Sequence, residues 1–248
     1  MTHSPFSYKV RIHEDYSSLR EEIELIPQRF LKGEGELIYD GRNQLRLFEI
    51  GGFRMVVKSF QVPNLLNRVC YGLVRSSKAQ RSFENALLLE SFGIGTPEPV
   101  AYMTFRNGLL FSRSYYVSLE SSCRHTYKDL WTQEIAYQDQ LMEEIGRMTA
   151  CLHENGWLHK DYSRGNILFD KMQDGTLRLE IVDLNRMRKG HVSITRGCRN
   201  FERLPATESM RGAMARGYAT ARGFDIKKCV DLMRHFRSRQ KDLVDGKY

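Results

Sequence analysis

The stretch LHKDYSRGNILF, from Leu158 to Phe169, contains an aspartate and an asparagine five residues apart. Either Asp161 or Asn166 alone would be ordinary in a turn, because such side chains bond nearby backbone groups. Together they have the chemistry that transfer of a phosphoryl group requires. A carboxylate can orient an acceptor hydroxyl and take its proton, and a carboxamide offers the hard oxygen that magnesium prefers.

Three residues elsewhere in the chain complete such a site. Lys58 follows an apolar run and would hold the phosphates that are not transferred, and Glu84 lies in the next helical pattern, where it could pair with Lys58. Asp183 ends a second apolar run and would bridge magnesium to the β and γ phosphates. Each residue is weak evidence alone, but their order around the HxDxxxxN pattern makes chance a poor explanation. We therefore predict catalytic roles for Asp161, Lys58 and Glu84, and magnesium ligation by Asn166 and Asp183.

The elements that must position these residues begin with a sheet. Apolar and polar residues alternate through the first half of the chain, which predicts five strands, with a helix over residues 75–93 between the third strand and the fourth. A short helix that opens at Ser18 and is limited by Pro27 and Gly33 precedes these strands. The turns between strands are marked by Asp40-Gly41, Gly51-Gly52 and Asn107-Gly108.

The second half of the chain is predominantly helical. Residues 137–157 form an amphipathic pattern, two short strands follow the catalytic stretch, and basic helical segments lie beyond Asp183. The pattern predicts an α+β chain of two lobes. Residues 1–120 would form a sheet-rich nucleotide-binding lobe with the hinge at its end, and residues 121–248 a helical lobe for catalysis and acceptor binding.

Composition favours an ordinary globular protein with one charged surface. Of the 248 residues, 41% are hydrophobic and 27% charged, and no apolar run has the length of a membrane span or a secretory signal, so we expect a cytoplasmic protein. The five scattered cysteines indicate neither a disulfide framework nor a zinc site. Residues 186–248 contain 16 Lys/Arg and 6 Asp/Glu, a balance of +10 within a net charge of +8. Such a basic segment favours an anionic partner, namely membrane lipid, a phosphorylated substrate or nucleic acid, although a solvated face without a partner is the alternative.

The motifs as a set resemble the protein-kinase-like superfamily, in which HxDxxxxN is followed by a strand-terminal aspartate. More narrowly, the chain is similar to the lipopolysaccharide core kinases of Gram-negative bacteria, which include Kdo kinases and heptose kinases. The resemblance covers about residues 33 to 205. It depends on GRN (41–43) before VVKSF (56–60), on SKAQRSFENA (77–86), GIGTPEPVA (93–101), HKDYSRGNIL (159–168) and IVDLNR (181–186).

The resemblance implies a protein-kinase-like fold with an antiparallel sheet and one main helix in the N-lobe and a reduced C-lobe. It implies ATP and Mg²⁺ as cofactors and a sugar hydroxyl of the lipid-anchored inner core as acceptor. Of the two candidate sugars, Kdo is favoured over heptose. The protein would then work at the cytoplasmic face of the inner membrane, with peripheral contact to its anionic surface and no nucleic acid. The residues that would contact the nucleotide are Lys58, then Gly41, Arg42 and Asn43 over the phosphates, and the backbone of Ser118 and Glu120 at the hinge beside adenine.

Several departures from protein kinases favour a glycolipid or small-molecule acceptor. There is no GxGxxG loop, Asp183 is followed by Leu-Asn instead of Phe-Gly, and Ser163 stands where Ser/Thr kinases have a lysine. No Ala-Pro-Glu segment follows Asp183, and the 65 residues that remain are too few for a full peptide-binding lobe. We instead expect six basic residues after Asp183 to recognise an anionic acceptor: Arg186, Arg188, Lys189, Arg196, Arg199 and Arg203. Two alternatives stay open, a compact atypical serine/threonine protein kinase and a basic nucleic-acid-binding pseudokinase.

Overall fold

A computed structural model of the protein describes residues 6–60, 76–107 and 110–245. The chain divides into two compact units. The first comprises Met1–Leu87 and Pro97–Ser121, and the second comprises Leu88–Thr96 and Ser122–Tyr248. No helix among the described residues is long and apolar enough to cross a membrane. The four cysteines within the described ranges are free thiols, and Cys70 lies outside those ranges.

A six-stranded antiparallel sheet forms the first unit, with the strand order β1-β5-β6-β4-β3-β2. The three strands predicted between residues 35 and 60 and the two predicted after residue 95 are confirmed. No strand was expected at the N-terminus, where β1 pairs along its whole length with β5. The strands are β1 (Phe6–Ile12), β2 (Glu36–Asp40), β3 (Gln44–Ile50), β4 (Phe53–Phe60), β5 (Pro99–Asn107) and β6 (Leu110–Leu119).

The two faces of this sheet pack against different helices. Helix α1 (Arg20–Leu31) contributes Ile23, Ile26 and Phe30 to a core with Met55 and Val57 of β4. It follows a 3₁₀ turn (Glu14–Leu19) instead of opening at Ser18, and it runs through Pro27, whose side chain is buried.

The opposite sheet face packs against helix α2 (Lys78–Ser91). Phe60, Phe83 and Tyr102 form the core there. Since successive side chains of a strand point to opposite faces, Lys58 lies on the α2 side of the sheet, as Phe60 does.

The second unit is built on three long helices: α3 (Gln138–Glu154), α5 (Glu208–Arg222) and α6 (Ile226–Asp245). Helices α3 and α5 pack at unusually close range because glycine stands at the contact on each. A β-carbon on Gly217 would lie 2.0 Å from the carbonyl oxygen of Glu143, and one on Gly146 would lie 2.2 Å from that of Met214. A short helix, α4 (Ile194–Arg199), and a 3₁₀ turn (Asn200–Arg203) precede α5.

Short strands complete the second unit, and two of them, β8 and β9, flank the predicted catalytic stretch. They are β7 (His125–Thr126), β8 (Trp157–His159), β9 (Ile167–Lys171), β10 (Leu177–Ile181) and β11 (Met187–Lys189). The segment Gly93–Thr96 packs on the end of β10: Ile181 N–H donates to the Gly95 carbonyl at 2.9 Å, and the hydroxyl of Thr96 donates to the Ile181 carbonyl at 2.9 Å. A β-carbon on Gly95 would lie 2.0 Å from the Leu179 carbonyl oxygen, so only glycine permits this approach. The segment thereby fixes the strand end that precedes Asp183.

Candidate active site

The predicted catalytic stretch is the connection between β8 and β9. Strand β8 pairs with β11, which places His159 opposite Met187, four residues after Asp183. The N–H of Val182 donates to the carbonyl of Asn166 at 3.0 Å. Backbone hydrogen bonds therefore join the segment that contains Asp161 and Asn166 to the segment that contains Asp183.

Asn166 has a fixed orientation. Its Nδ2 donates to the backbone carbonyl of Asp161 at 2.8 Å, which assigns the amide nitrogen to that bond and leaves Oδ1 as the oxygen that can ligate a cation. The backbone N–H of Asn166 donates to Ser163 at 2.9 Å, so the turn between the two predicted catalytic residues is closed at both ends.

Asp183 adopts a left-handed backbone conformation, with φ 62° and ψ 47°. Apart from glycine, no other described residue has a positive φ. Aspartate tolerates this region better than most residues, and strained backbone tends to be retained at functional positions. Oδ1 of Asp183 accepts a hydrogen bond from Nδ2 of Asn185 at 2.6 Å, which orients the carboxylate.

The donor set of Asn166 and Asp183 fits magnesium. Both supply hard oxygen atoms, and magnesium commonly takes one or two protein ligands while keeping several of its waters. Within the described ranges no cluster of three or more His, Cys, Asp or Glu side chains is suited to hold a metal ion. Oδ1 of Asn166 and the carboxylate of Asp183 could hold such a cation, and their role as magnesium ligands stays a prediction.

His159 connects the two segments through both nitrogens of its ring. Nε2 lies 3.1 Å from the carbonyl of Val182, an acceptor, and Nδ1 accepts the backbone N–H of Asp161 at 3.2 Å. These partners require the neutral tautomer with its proton on Nε2. Burial of the ring lowers the pKa of His159, which favours the same neutral form.

The carboxylate of Asp161 is bound by two arginines. Arg203 contacts Oδ1, and Nη1 of Arg186 lies 3.4 Å from Oδ2. The neighbouring Tyr162 is buried, with its hydroxyl 2.7 Å from that of Thr149 in α3. The loop is therefore anchored in the helical core on one side of Asp161 while the Asp161 carboxylate remains partly exposed.

A chain of buried hydrogen bonds supports this loop from behind. Arg222 donates to the hydroxyl of Tyr218 at 2.5 Å, and this hydroxyl lies 2.9 Å from Nδ1 of His153. Nε2 of His153 lies 3.0 Å from Oδ1 of Asn200, whose Nδ2 donates to the backbone carbonyl of His159 at 2.9 Å. Since the His159 carbonyl can only accept, the Asn200 amide has its nitrogen on that side, and His153 must donate from Nε2 and accept at Nδ1.

The absence of a side chain at Gly197 leaves the space that this series of hydrogen bonds occupies. A β-carbon at Gly197 would lie 1.8 Å from the Tyr218 hydroxyl oxygen and 3.1 Å from Nδ1 of His153. None of Asn200, His153, Tyr218 and Arg222 was predicted from the sequence, since they are 69 residues apart at the extremes and follow no local spacing. The position of His153 on the apolar face of the helical pattern over residues 137–157 is the one sequence feature that could have indicated a buried polar group.

The hydrogen bond from Asn200 to the His159 carbonyl predicts a kinetic effect. Asn200→Asp should still accept from His153 but cannot donate to the carbonyl as a carboxylate, so the loop that bears Asp161 should lose its position. We expect kcat to fall roughly 10- to 100-fold, because small misplacements of reacting groups have effects of that order, with little change in the KM for ATP. Steady-state kinetics would measure both. Asn155→Asp is the matched control, because its amide donates only to the carbonyl oxygen and the Sγ of Cys151 at an exposed helix end. A kcat for Asn200→Asp within twofold of that control would contradict the prediction.

His153 predicts a pH dependence of stability. Burial lowers its pKa to about 4, whereas an unfolded histidine titrates near 6.5. Below pH 6.5 the unfolded chain binds a proton that the native state does not, so the free energy of unfolding should decrease as the pH falls toward 4 and be unaffected above 7. Between pH 7.5 and pH 5 the loss from this residue is about 2 kcal/mol. Urea unfolding at both pH values would show a smaller loss in His153→Gln, which retains a donor and an acceptor but does not titrate; equal losses in the two proteins would be inconsistent with a buried neutral histidine.

Lys58 and Glu84 both lie in the first unit. Lys58 is half-buried in β4, between Leu45 and Tyr116 of the neighbouring strands, and its Nζ lies 5.3 Å from the centre of the Phe60 ring. Glu84 is exposed on α2 and accepts a hydrogen bond from Gln80 at 2.8 Å. The ion pair between Lys58 and Glu84 stays a prediction.

The turn Gly41–Asn43 connects β2 to β3, as expected, and lines a cavity of about 520 Å³ together with Arg46, Arg113 and Ser59. Ser59 follows Lys58 in β4, so the two side chains point to opposite sheet faces. Lys58 does not line this cavity. Lys58 and the turn therefore cannot contact the same phosphate within this cavity. The contact of Gly41, Arg42 and Asn43 with the phosphates stays a prediction.

Backbone and side-chain groups of the two residues predicted at the hinge, Ser118 and Glu120, are already bonded within the sheet or buried there. The backbone N–H of Glu120 donates to the carbonyl of Arg54 at 2.9 Å, and its carboxylate binds the Arg54 guanidinium at 2.6 Å. Ser118 is buried within the sheet, opposite Val56 of β4. The N–H of Glu120 is occupied in this structure, and the contact of Ser118 and Glu120 with adenine stays a prediction.

The fold, together with the loop between β8 and β9 that contains Asp161 and Asn166, is that of the protein-kinase-like class. Among solved structures, the chain is similar to WaaP in a complex with acyl carrier protein, with a TM-score of 0.63 and 15% identity over 95% of this chain and 99% of that chain. It is also similar to the Rio2 kinase from Chaetomium thermophilum, in its complex with ADP, Mg²⁺ and phosphoaspartate. There the TM-score is 0.53 and the identity 18%, over 92% of this chain and 77% of that chain. These likenesses confirm the predicted fold.

The sequence identifies the family. Residues 66–216, more than half of the chain, match the family described as lipopolysaccharide kinase (Kdo/WaaP). No curated protein matches the chain in sequence. The protein belongs to the lipopolysaccharide kinase (Kdo/WaaP) family, as the resemblance predicted.

Proposed function

We propose that the protein transfers the γ-phosphoryl group of Mg-ATP to a sugar hydroxyl of the lipopolysaccharide inner core, with Kdo as the favoured acceptor and heptose as the alternative. The observation that supports this most directly is the set of hydrogen bonds that joins the segment of Asp161 and Asn166 to the segment that ends at Asp183, partly through the neutral ring of His159. Membership of the lipopolysaccharide kinase family supports the acceptor class. The peptide-kinase alternative lacks comparable support, since the likeness to Rio2 concerns the fold alone.

Each predicted residue has a distinct task in this reaction. Asp161 orients the acceptor hydroxyl and takes its proton, and Lys58, supported by Glu84, holds the phosphates that are not transferred. Asn166 and Asp183 hold magnesium, which, when bound, neutralises charge on the phosphates. His159 contributes no proton at neutral pH, because its ring is neutral and both of its nitrogens are bonded. The ring instead joins the backbone of Asp161 to that of Val182, the residue before Asp183.

The proposal is tested by phosphorylation of a defined acceptor. The purified protein would be incubated with Mg-ATP and, separately, with lipid A that bears Kdo, with a heptose-extended core and with a protein acceptor such as casein. We expect one phosphate on the Kdo sugar, located by mass spectrometry of the released oligosaccharide. Phosphate on heptose alone would reassign the acceptor, and phosphate on the protein alone would favour the atypical protein kinase.

We further propose that the protein works at the cytoplasmic face of the inner membrane. The excess of Lys and Arg after residue 186 supports this, because each such residue near an anionic leaflet contributes about 1 kcal/mol. Sedimentation with vesicles should show binding to anionic lipid that decreases as the salt concentration rises, and no binding to purely zwitterionic lipid.

A further inference from the structure

The predicted catalytic carboxylate is bound by two guanidinium groups that come from different elements. Arg186 ends the 3₁₀ turn after Asp183, and Arg203 ends the 3₁₀ turn between α4 and α5. Arg203 binds Oδ1 of Asp161, and Arg186 lies 3.4 Å from Oδ2. The Asp161 side chain is 20% exposed, whereas those of Arg203 and Arg186 are 43% and 60% exposed, so both arginines are open to a ligand from solvent.

The charges of this cluster do not balance. Two guanidinium groups meet one carboxylate, which leaves one positive charge. Within the described part of the chain, neither Arg186 nor Arg203 forms an ion pair with a carboxylate other than Asp161. Glu202, next to Arg203 in sequence, is bound by Arg199 at 3.2 Å. The excess charge therefore lies beside the group that must meet the acceptor hydroxyl.

This arrangement also obstructs Asp161. An acceptor hydroxyl must approach a carboxylate oxygen closely to donate its proton, and Arg203 covers one of the two oxygens. An anionic group on the acceptor would form the same paired hydrogen bonds with a guanidinium that a carboxylate forms. When such a group binds, it would replace Oδ1 of Asp161 as the partner of Arg203. Oδ1 would then be free to accept the proton of the acceptor hydroxyl.

We infer that the acceptor has an anionic group, a carboxylate or a phosphate, beside the hydroxyl that is phosphorylated, and that Arg203, assisted by Arg186, binds this group and determines specificity for it. The inference rests on the proposed function and adds the residue that selects among core sugars. In the reaction the hydroxyl proton passes to Asp161, the acceptor oxygen bonds to the γ-phosphorus, and the bond from that phosphorus to the β–γ bridging oxygen breaks to release ADP. A sugar acid such as Kdo meets the requirement, and an unmodified heptose does not.

The test combines a change in the protein with a change in the acceptor. Lipid A that bears Kdo would be compared with its carboxyl methyl ester for the native protein and for Arg203→Ala. We expect esterification to lower kcat/KM of the native protein roughly 10- to 100-fold, because a hydrogen-bonded charge pair is lost. Arg203→Ala should show a similar loss with the free acid and less than a threefold further loss on esterification. Arg203→Lys should be intermediate, since lysine retains the charge but not the planar fork.

Controls separate this role from folding and from the proposed function. Arg216→Ala removes one exposed charge that contacts Glu143 of α3, and it should show the full ester penalty of the native protein. If Arg203→Ala is inactive with both acceptors, the Arg203→Lys and Arg186→Ala variants provide the comparison.

An ester penalty of equal size in the native protein and in these variants would overturn the inference while leaving the kinase intact. The native protein would also be compared on two acceptors that differ only in one core phosphate. Full activity on the ester together with equal activity on these two acceptors would also overturn the inference. Full activity on the ester with lower activity on the acceptor that lacks the phosphate would identify phosphate as the anion. Absence of transfer to every core acceptor would overturn the proposed function, and the inference with it.

Discussion

Asp161→Asn should lower kcat by about 10³-fold while the KM for ATP changes by less than threefold. Positioned general bases contribute roughly 10²- to 10⁴-fold, and the asparagine side chain cannot accept the hydroxyl proton. Its carbonyl oxygen can still accept from Arg203, and the backbone bonds of residue 161 to His159 and Asn166 are retained. The substitution should therefore remove the chemistry and leave the loop in place.

Steady-state kinetics on the Kdo-bearing acceptor, with thermal unfolding as a check on the fold, would measure this effect. Asp174→Asn is the matched control, because Asp174 lies in the turn between β9 and β10 and its carboxylate accepts only from Thr176 among the contacts of the described structure. The control should keep full activity. A kcat for Asp161→Asn within tenfold of the native value would show that another group takes the proton.

The parts of the site that could be predicted from the sequence are those with local spacing. Asp161 and Asn166 lie in one turn, and Asp183 is separated from them by a hairpin, so their order along the chain already encodes their proximity. The same holds for strands β2 to β4, where alternation and turn glycines determine the register. The residue pattern indicated magnesium, and the family resemblance added ATP as the donor and the class of acceptor.

The parts that could not be predicted depend on contacts between distant elements. Asn200 supports the loop from a 3₁₀ turn, and its role follows only from where α3 and α5 meet. That contact in turn depends on Gly146 and Gly217, which as isolated glycines within helices would ordinarily indicate weak helix propensity. Likewise, Arg203 and Arg186 were expected to face an acceptor, but their contact with Asp161 required the chain to be folded.

The left-handed backbone of Asp183 makes it possible to separate ligand chemistry from backbone strain. Asp183→Asn should preserve the fold, because asparagine also tolerates positive φ, yet it replaces a charged magnesium ligand by a neutral one. We expect kcat to fall by about 10³-fold at millimolar magnesium, in line with the several kcal/mol that a bound cation supplies to phosphoryl transfer. Higher magnesium or manganese concentrations should partly restore activity, since the defect is one of cation affinity.

Two further substitutions at this position separate the loss of the ligand from the strain of the backbone. Asp183→Gly removes the ligand and relieves the backbone, whereas Asp183→Ala removes the ligand and imposes about 1–2 kcal/mol of strain at positive φ. We expect both variants to be inactive, with the alanine variant the less stable to urea, and the asparagine variant alone to respond to added metal. Titration of ADP in the presence and absence of magnesium would report cation binding directly. An asparagine variant with native activity and native magnesium dependence would remove Asp183 from the metal site, because a charged oxygen ligand cannot be neutralised without a change in its affinity for a divalent cation.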